Sequence, residues 1–310
     1  MEEKIEIMNL LQIKQVLEHE LQSLAYGSVE IRENNSNKYI YVHYREDGVA
    51  LTKYVGEYSD ELYNLILNNS IKAKQLKKQI REITKKLKQL NYTEEELSEK
   101  VEQNIDFAKR HLVDTIYKQA ILEGVATTFA DTESIIEGGK VNNMTSEDII
   151  KIVNLKHAWE FILNKNVILS DTNFALLCEI NKMVEEGFYY TAGKVRNTPV
   201  TIGGTTWKPD LPIESVIKEE LEEIFSKELN DIDKAIELLL YTMKKQVFID
   251  GNKRTAVIYS NHYLISKGKG IIAIPAELTE DFKDLLIPYY EGRDEKEIKK
   301  FIKEKCYMSI

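Results

Sequence analysis

The spacing of apolar residues changes character along the chain. Residues 2–24 place Ile5, Met8, Leu11 and Leu24 among polar neighbours at intervals that predict a helix. The period then drops to two. Val29 and Ile31, then Ile40, Val42 and Tyr44, then Leu51, Lys53 and Val55 mark three short segments, the pattern of half-buried strands. A polar turn at Asn34–Asn37 and the pair Asp47-Gly48 separate them, which predicts a three-stranded antiparallel meander. Such a sheet requires a helix over its apolar face. The helical period returns at about Asp60 and holds to Leu90, with Leu76, Ile80, Ile83, Leu87 and Leu90 on one stripe. Thr93 with Glu96 forms a capping box that opens a second long helix, to about Leu122.

Beyond Thr127 the pattern is helical with short turns. Thr145 with Asp148, Asp171, and Asp294 with Glu297 are candidate helix starts. Helices are expected over Asp231–Lys245, with Ile232, Ile236, Leu239 and Met243 inward, and over Asn252–Ser266, with Val257, Tyr259 and Tyr263 inward. The exception is KVRNTPVTIGGTTWKPDLP at 194–212. There Val200 and Ile202 alternate around Gly203-Gly204 and predict a lone hairpin. The expected fold is mainly α, with a small α/β module at the front. The boundary is placed near residue 92, giving an accessory module over 1–92 and a helical domain over 93–310.

Composition narrows the class. No apolar run approaches the ~20 residues that span a bilayer, and the acidic start MEEKIEIMNL lacks the layout of a signal peptide, so no membrane association is expected. Two cysteines far apart, Cys178 and Cys306, fit a reducing, cytoplasmic location. With 42 Lys and Arg against 51 Asp and Glu, the net charge of -9 excludes a surface built as a whole for nucleic acid. One segment departs from that average. Lys72, Lys74, Lys77, Lys78, Arg81, Lys85, Lys86 and Lys88 are opposed there only by Glu82. A solvated helix face is preferred to a nucleic-acid surface over 72–88. Tyr39, Tyr41, His43 and Tyr54 on the adjacent strands could stack bases, but tyrosine is also an ordinary strand residue.

The stretch richest in chemistry is Gln246-Val-Phe-Ile-Asp-Gly-Asn-Lys-Arg-Thr255, a tight loop feeding a helix N-terminus. Free N–H groups and a partial positive charge there suit a phosphate. Gly251 permits close backbone approach, Lys253 and Arg254 add full charges, and Asp250 suits a magnesium ion that bridges to phosphates. From these residues alone, a charged solvated turn fits equally well.

The segment resembles the signature H-x-F-x-[D/E]-G-N-[G/K]-R of the Fic/Doc family through Phe248, Asp250, Gly251, Asn252, Lys253 and Arg254. TAGKVRNTPVTIGG resembles the family's upstream segment, in which Gly193 and Arg196 lead into a β-hairpin flap carrying Val200, Thr201 and Ile202. NHYLISKGKGIIAIP resembles the helix and strand that follow the motif. The resemblance covers roughly Thr127–Ile310. It implies a Fic-like helical core, ATP and Mg2+ as cofactors, and a protein hydroxyl as target. Magnesium would lie at Asp250 and phosphates at Gly251, Asn252, Lys253 and Arg254. AMP transfer is the implied reaction. Lys253 and the lack of a second arginine at Val257 are closer to the Doc branch, which implies phosphate transfer instead.

Two positions depart from the pattern. Gln246 replaces the histidine that serves as general base, and an amide cannot take a proton at working pH. His262 and His157 are poor substitutes by position. Residues 127–139 resemble the family's inhibitory helix, with Glu137-Gly138 in place but Glu133 where Ser or Thr is usual. With no second arginine to meet, the helix is read as a retained structural element, with a contact of Glu137 to Arg254 or Lys253 as the alternative. A weakened transferase is the leading reading. The alternative is an inactive nucleotide-binding or partner-binding relative.

Overall fold

The computed structural model describes residues 2–34, 37–46, 49–90, 92, 97–142 and 144–310. The chain divides into two units, Met1–Thr93 and Glu94–Ile310.

The first unit opens with α1 (Glu2–Ser23), followed by strands β1 (Ser28–Asn34), β2 (Asn37–Glu46) and β3 (Val49–Glu57), and then α2 (Asp60–Gln89). The sheet is antiparallel in the order β1-β2-β3, as the alternation predicts. Asp47-Gly48 lies outside the described residues. Val29 pairs with Val42, which pairs with Lys53. A bulge between Ile40 and Tyr41 shifts the register, so Gly56 faces Ile40 while Tyr54 faces Tyr41. The extra residue, Val55, turns inward and joins Ile40, Val42 and Ile66 in the core. Ser59 caps α2 by accepting from the Leu62 N–H, and Ile66, Ala73, Leu76, Ile83 and Leu87 line its buried stripe.

The second unit is helical. The long helix expected up to Leu122 is two, α3 (Glu99–Arg110) and α4 (Leu112–Leu122), interrupted at His111. Ser98 caps α3, its hydroxyl accepting from the Val101 N–H, and the Thr93–Glu96 box lies outside the described residues. Then come α5 (Phe129–Ile136), α6 (Ser146–Ile162), α7 (Lys165–Ile168) and α8 (Phe174–Val184). Thr145 caps α6 as its spacing predicts, whereas α8 is capped by Asn173 and not by Asp171. The chain continues through α9 (Glu214–Ser226), α10 (Asp231–Lys245) and α11 (Asn252–Ser266). Strand β4 (Ile271–Ile272) follows, then α12 (Thr279–Tyr290), α13 (Lys296–Phe301) and β5 (Tyr307–Met308), which pairs with β4. Asp294 accepts from the Lys296 N–H at the start of α13. No helix among the described residues is long and apolar enough to cross a membrane.

The second unit is organised around α11. Nearly every residue from Asn252 to Ile265 is buried, and α3, α6, α7, α8, α10 and β4 pack around it. A helix buried on all sides holds its first turn in a fixed place, because packing at interior density leaves no room for it to shift. The Asn261 amide shows how its interior polar groups are satisfied. It donates to the Val257 and Ile272 carbonyls and accepts from the Ile272 N–H.

Asn104 plays the same part between α3 and the strand that follows α11. Its side chain donates to the Gly270 carbonyl at 3.1 Å and accepts from the Gly270 N–H at 2.7 Å, both in the interior. Asn104→Ala strands both backbone groups. The expected loss is about 2–4 kcal/mol, read as a lower urea midpoint at unchanged slope. A midpoint equal to that of the parent chain would show that water replaces the amide.

Candidate functional site

The loop between α10 and α11 is short and enters left-handed backbone twice. Gln246 ends α10 at φ 48, the only described non-glycine residue with positive φ, and Gly251 precedes α11 at φ 72. A side chain in this region costs roughly 1 kcal/mol, so Gln246 is held there by its surroundings. Arg196 supplies part of the hold. Its Nε donates to the Gln246 carbonyl at 2.6 Å, and its backbone N–H donates to the Val247 carbonyl at 2.9 Å. Asn252 supplies more. It donates to the Phe248 carbonyl at 2.9 Å and to Gln246 Oε1 at 3.1 Å, and accepts from the Phe248 N–H at 3.0 Å. Phe248 is buried beneath the loop. From the other side, Asn181 donates to the Asp250 carbonyl and to Thr255 Oγ1 and accepts from the Gly193 N–H.

This geometry alters the role expected of Asn252. Its side chain is spent inside the loop, so a phosphate could meet only its backbone N–H. Gln246 is likewise engaged at both ends, its Nε2 donating to the Met243 carbonyl at 2.6 Å. It carries no ionisable proton, and its amide is turned back into the loop. No nearby histidine replaces it. His262 is buried, with Nε2 2.9 Å from the Val167 carbonyl and Nδ1 2.8 Å from Thr172 Oγ1. The carbonyl can only accept, which assigns the proton to Nε2. Burial pushes the pKa of this imidazole down to about 4. The two thiols are equally quiet, since burial pushes Cys178 and Cys306 up to about 12.

Arg254 is the central charge. Its side chain is 3% exposed. Nη2 stands 2.7 Å from Glu185 Oε1 and 3.8 Å from Asp250 Oδ1, and Nε stands 3.8 Å from Glu123 Oε2. The backbone carbonyl of Arg254 accepts from Gln119, which in turn accepts from the Trp159 indole. Yet Nε and Nη1 are buried without a hydrogen-bond partner, as are Glu185 Oε1 and Glu123 Oε1. The contact with Glu185 is therefore close but poorly aimed. Gly251 is required here twice over. Its φ favours glycine, and a Cβ would overlap the Glu185 carboxylate. The first turn of α11 has no side-chain cap. Lys253 reaches Glu123 at 3.5 Å, and the Asp250 side chain is 51% exposed, with Oδ1 accepting from the Gly251 N–H at 2.7 Å.

The predicted residues from Gln246 to Arg254 are thus gathered, while two other expectations are corrected. Glu137 does not meet Arg254 or Lys253. It is exposed at the C-terminal end of α5, and the acids beside Arg254 are Glu185, Glu123 and Asp250. Residues 194–212, including Val200, Thr201 and Ile202, contain no strand. The chain forms a loop whose neck is tied by Arg196, with Nη1 donating to the Thr198 carbonyl and Nη2 to the Asp210 carbonyl. One arginine holding both ends replaces the cross-strand ladder that the alternation suggests.

Sequence reasoning missed Glu185, Glu123, Asn181 and Gln119. Each lies outside the motif, and nothing in its local pattern distinguishes it. Glu185 carries a measurable consequence. Burial pushes its carboxyl up to about 7, against the opposing pull of Arg254. An acid raised in the folded state adds stability below its unfolded pKa, and that stability is lost as pH rises through the folded value. Between about pH 4.5 and 7 the native chain accordingly loses about 3 kcal/mol relative to Glu185→Gln, whose amide does not titrate. Urea unfolding of both proteins across this window is expected to show the gap shifting toward the variant. Parallel curves would place the Glu185 carboxyl at an ordinary pKa.

Comparison with known proteins gives this geometry a context. The Fic/DOC family matches residues 171–264, from the loop before α8 through most of α11. Among solved structures, a Fic-domain-containing signalling protein from Bacteroides thetaiotaomicron aligns with TM-score 0.51 and 18% identity, covering 61% of this chain and 75% of that one. Fic-1 of C. elegans (residues 134–508) aligns with TM-score 0.52 and 15% identity, covering 78% of this chain and 79% of that one. A Fic family protein from Desulfovibrio desulfuricans G20 aligns with TM-score 0.52 and 13% identity, covering 67% and 72%. At these identities the likeness establishes the fold. A search of curated proteins gave no significant match. Residues 171–264, containing the whole loop from Gln246 to Arg254, are a Fic/DOC domain.

Proposed function

We propose that the chain binds ATP through the start of α11 and transfers AMP, or another phosphate-containing group, to a hydroxyl of a protein, at a rate held down by Gln246. The observation that supports this reading is the orphaned guanidinium. Arg254 is buried at an uncapped helix start, with Nε and Nη1 unpartnered. Such a group costs about 1–3 kcal/mol unless a ligand completes it, and phosphate oxygens match its donors. The first-turn N–H groups and Lys253 add to the attraction.

A nucleotide and magnesium fit the residues present. Asp250 holds a solvent-facing carboxylate next to the helix start, and magnesium commonly takes one or two protein carboxylates with the rest of its shell from phosphate and water. When bound, the ion would neutralise phosphate charge. Glu185 opposes the nucleotide, since its carboxylate stands against the same Nη2 a phosphate would use.

The weak step is proton removal from the target hydroxyl. A missing general base costs ~10²–10⁴ in rate, and the Gln246 amide is bound to Met243 and Asn252. That same observation favours a second reading, a nucleotide-binding relative without catalysis. The two separate experimentally. Gln246→His, incubated with ATP labelled on the α- or the γ-phosphate and a cell lysate, is expected to raise labelling by ~10²-fold or more. Label from the α-position marks AMP transfer, and label from the γ-position marks phosphate transfer. An inert parent beside an active variant assigns the parent to the binding class. Arg254→Ala is expected to remove the magnesium-dependent part of the calorimetric signal of ATP. Undiminished heat in that variant would remove Arg254 from the site and the proposal with it.

A further inference from the structure

The first unit contains a basic cleft that none of the family features explains. It measures about 680 Å³ and lies between the end of α1, the inner face of the sheet and α2. A second hollow of about 560 Å³ shares Tyr26, Tyr44 and Lys77 with it. Lys53 enters from β3. Its register partner is the core residue Val42, and strand partners project to the same face, so this lysine is directed toward the helix side of the sheet. Lys77 and Arg81 come from successive turns of α2, and Lys74 borders the adjoining hollow. Three cations thus line one cleft where the hydrophobic core opens to solvent, and Lys74 borders its neighbour.

Their neighbours show that this is not simply a solvated face. Lys72 and Lys78, on the same helix, are paired with Glu20 and Glu82. Among the described residues, none of Lys53, Lys74, Lys77 and Arg81 forms an ion pair. Among the described residues, the one acid lining the cleft is Glu18, which lies 3.8 Å from Lys14. Like charges three or four residues apart on a helix destabilise it, a cost that a bound anion would offset.

The cleft also offers rings. Tyr26 and Tyr44 lie with centroids 5.7 Å apart at 48°, and Lys77 Nζ sits 4.7 Å from the Tyr26 centroid. Cations beside aromatic faces in a hollow of several hundred cubic ångströms match a ligand with a phosphate and a planar base. We infer that the cleft between α1, the sheet and α2 is a second nucleotide-binding site, with phosphate on Lys53, Lys77 and Arg81 and the base against Tyr26 or Tyr44. The base could belong to a free nucleotide or to a single strand. The site shares no residue with the loop at 246–255, so it stands or falls separately from the function proposed there.

Calorimetry of the full chain at low salt with AMP, inorganic phosphate and a short single-stranded oligothymidylate tests this. Native protein is expected to bind AMP at least ~10-fold more tightly than phosphate, because one stacked base is worth ~1–3 kcal/mol. The double variant Lys77→Glu/Arg81→Glu is expected to bind about a hundredfold more weakly, because two charge-assisted hydrogen bonds to phosphate disappear. Both side chains are at least partly exposed, so thermal unfolding is expected to stay in place, and Lys77→Gln/Arg81→Gln repeats the test without charge reversal. The Arg254→Ala variant is expected to retain the cleft's signal. Oligothymidylate binding tighter than AMP and abolished in the double variants identifies a strand, and AMP binding without oligothymidylate identifies a free nucleotide. No binding of either by about 1 mM, or equal binding by native and double-variant proteins, overturns the inference. Equal affinity for AMP and phosphate removes the ring contact.

Discussion

A guanidinium removed from water must find acceptors, and Arg254 finds them incompletely. Glu185 comes within 2.7 Å of Nη2, but Nε and Nη1 remain without hydrogen bonds. A buried ion pair is strongly favourable only when its hydrogen bonds are complete. Here they are not, so the arrangement is poised to exchange one anion for another. The α11 helix makes this incompleteness tolerable. Its burial on all sides fixes the arginine in place, and the stability contributed by its packing offsets the local cost.

The same constraint accounts for the loop. Two left-handed residues five positions apart form a tight passage between consecutive helices, and only one of them is glycine. The other, Gln246, is held through its main chain by Arg196 and through its side chain by Met243 and Asn252. A histidine at this position would still be placed by the bond from Arg196, which involves only the backbone carbonyl of residue 246. It would give up the amide pair that now occupies the side chain, freeing a ring nitrogen for chemistry. The loop's backbone is thus fixed independently of the side chain at 246, while the group at its base is one that cannot titrate.

The extent to which the sequence reveals this differs by element. The bounds of α10 and α11 are legible because periodic apolar residues meet clear breaks, at Gln246 and at Ser266-Lys267-Gly268. The meander is legible because alternation sustained over three segments, with turn residues between them, fits little besides paired strands. The break at His111 has no local marker, and no physical account of it follows from the residues there. Alternation misleads at Val200 and Ile202, where the single side chain of Arg196 ties the loop neck and a ladder is unnecessary. Glu185 illustrates a more general barrier. A glutamate near the end of an amphipathic helix normally faces water, and only the packing of α8 against α11 turns this one inward. Motifs name the residues a ligand touches. They are silent about residues that compete with it.

That competition bears on the position of Glu137. An acid that opposes phosphate need not come from one fixed helix. It needs only to reach the arginine from a rigid neighbour, and to be dry enough that its charge is not screened. Glu137 sits at the exposed end of α5 and meets neither condition. Glu185 meets both, standing at the end of α8 and buried against Gly251. Its raised pKa follows from the same dryness. The features that would make it a competitor for phosphate at Arg254 also make its charge expensive, so the carboxylate is held by the arginine and by little else. A phosphate arriving at Arg254 would therefore displace a partner that burial has already made costly to keep ionised.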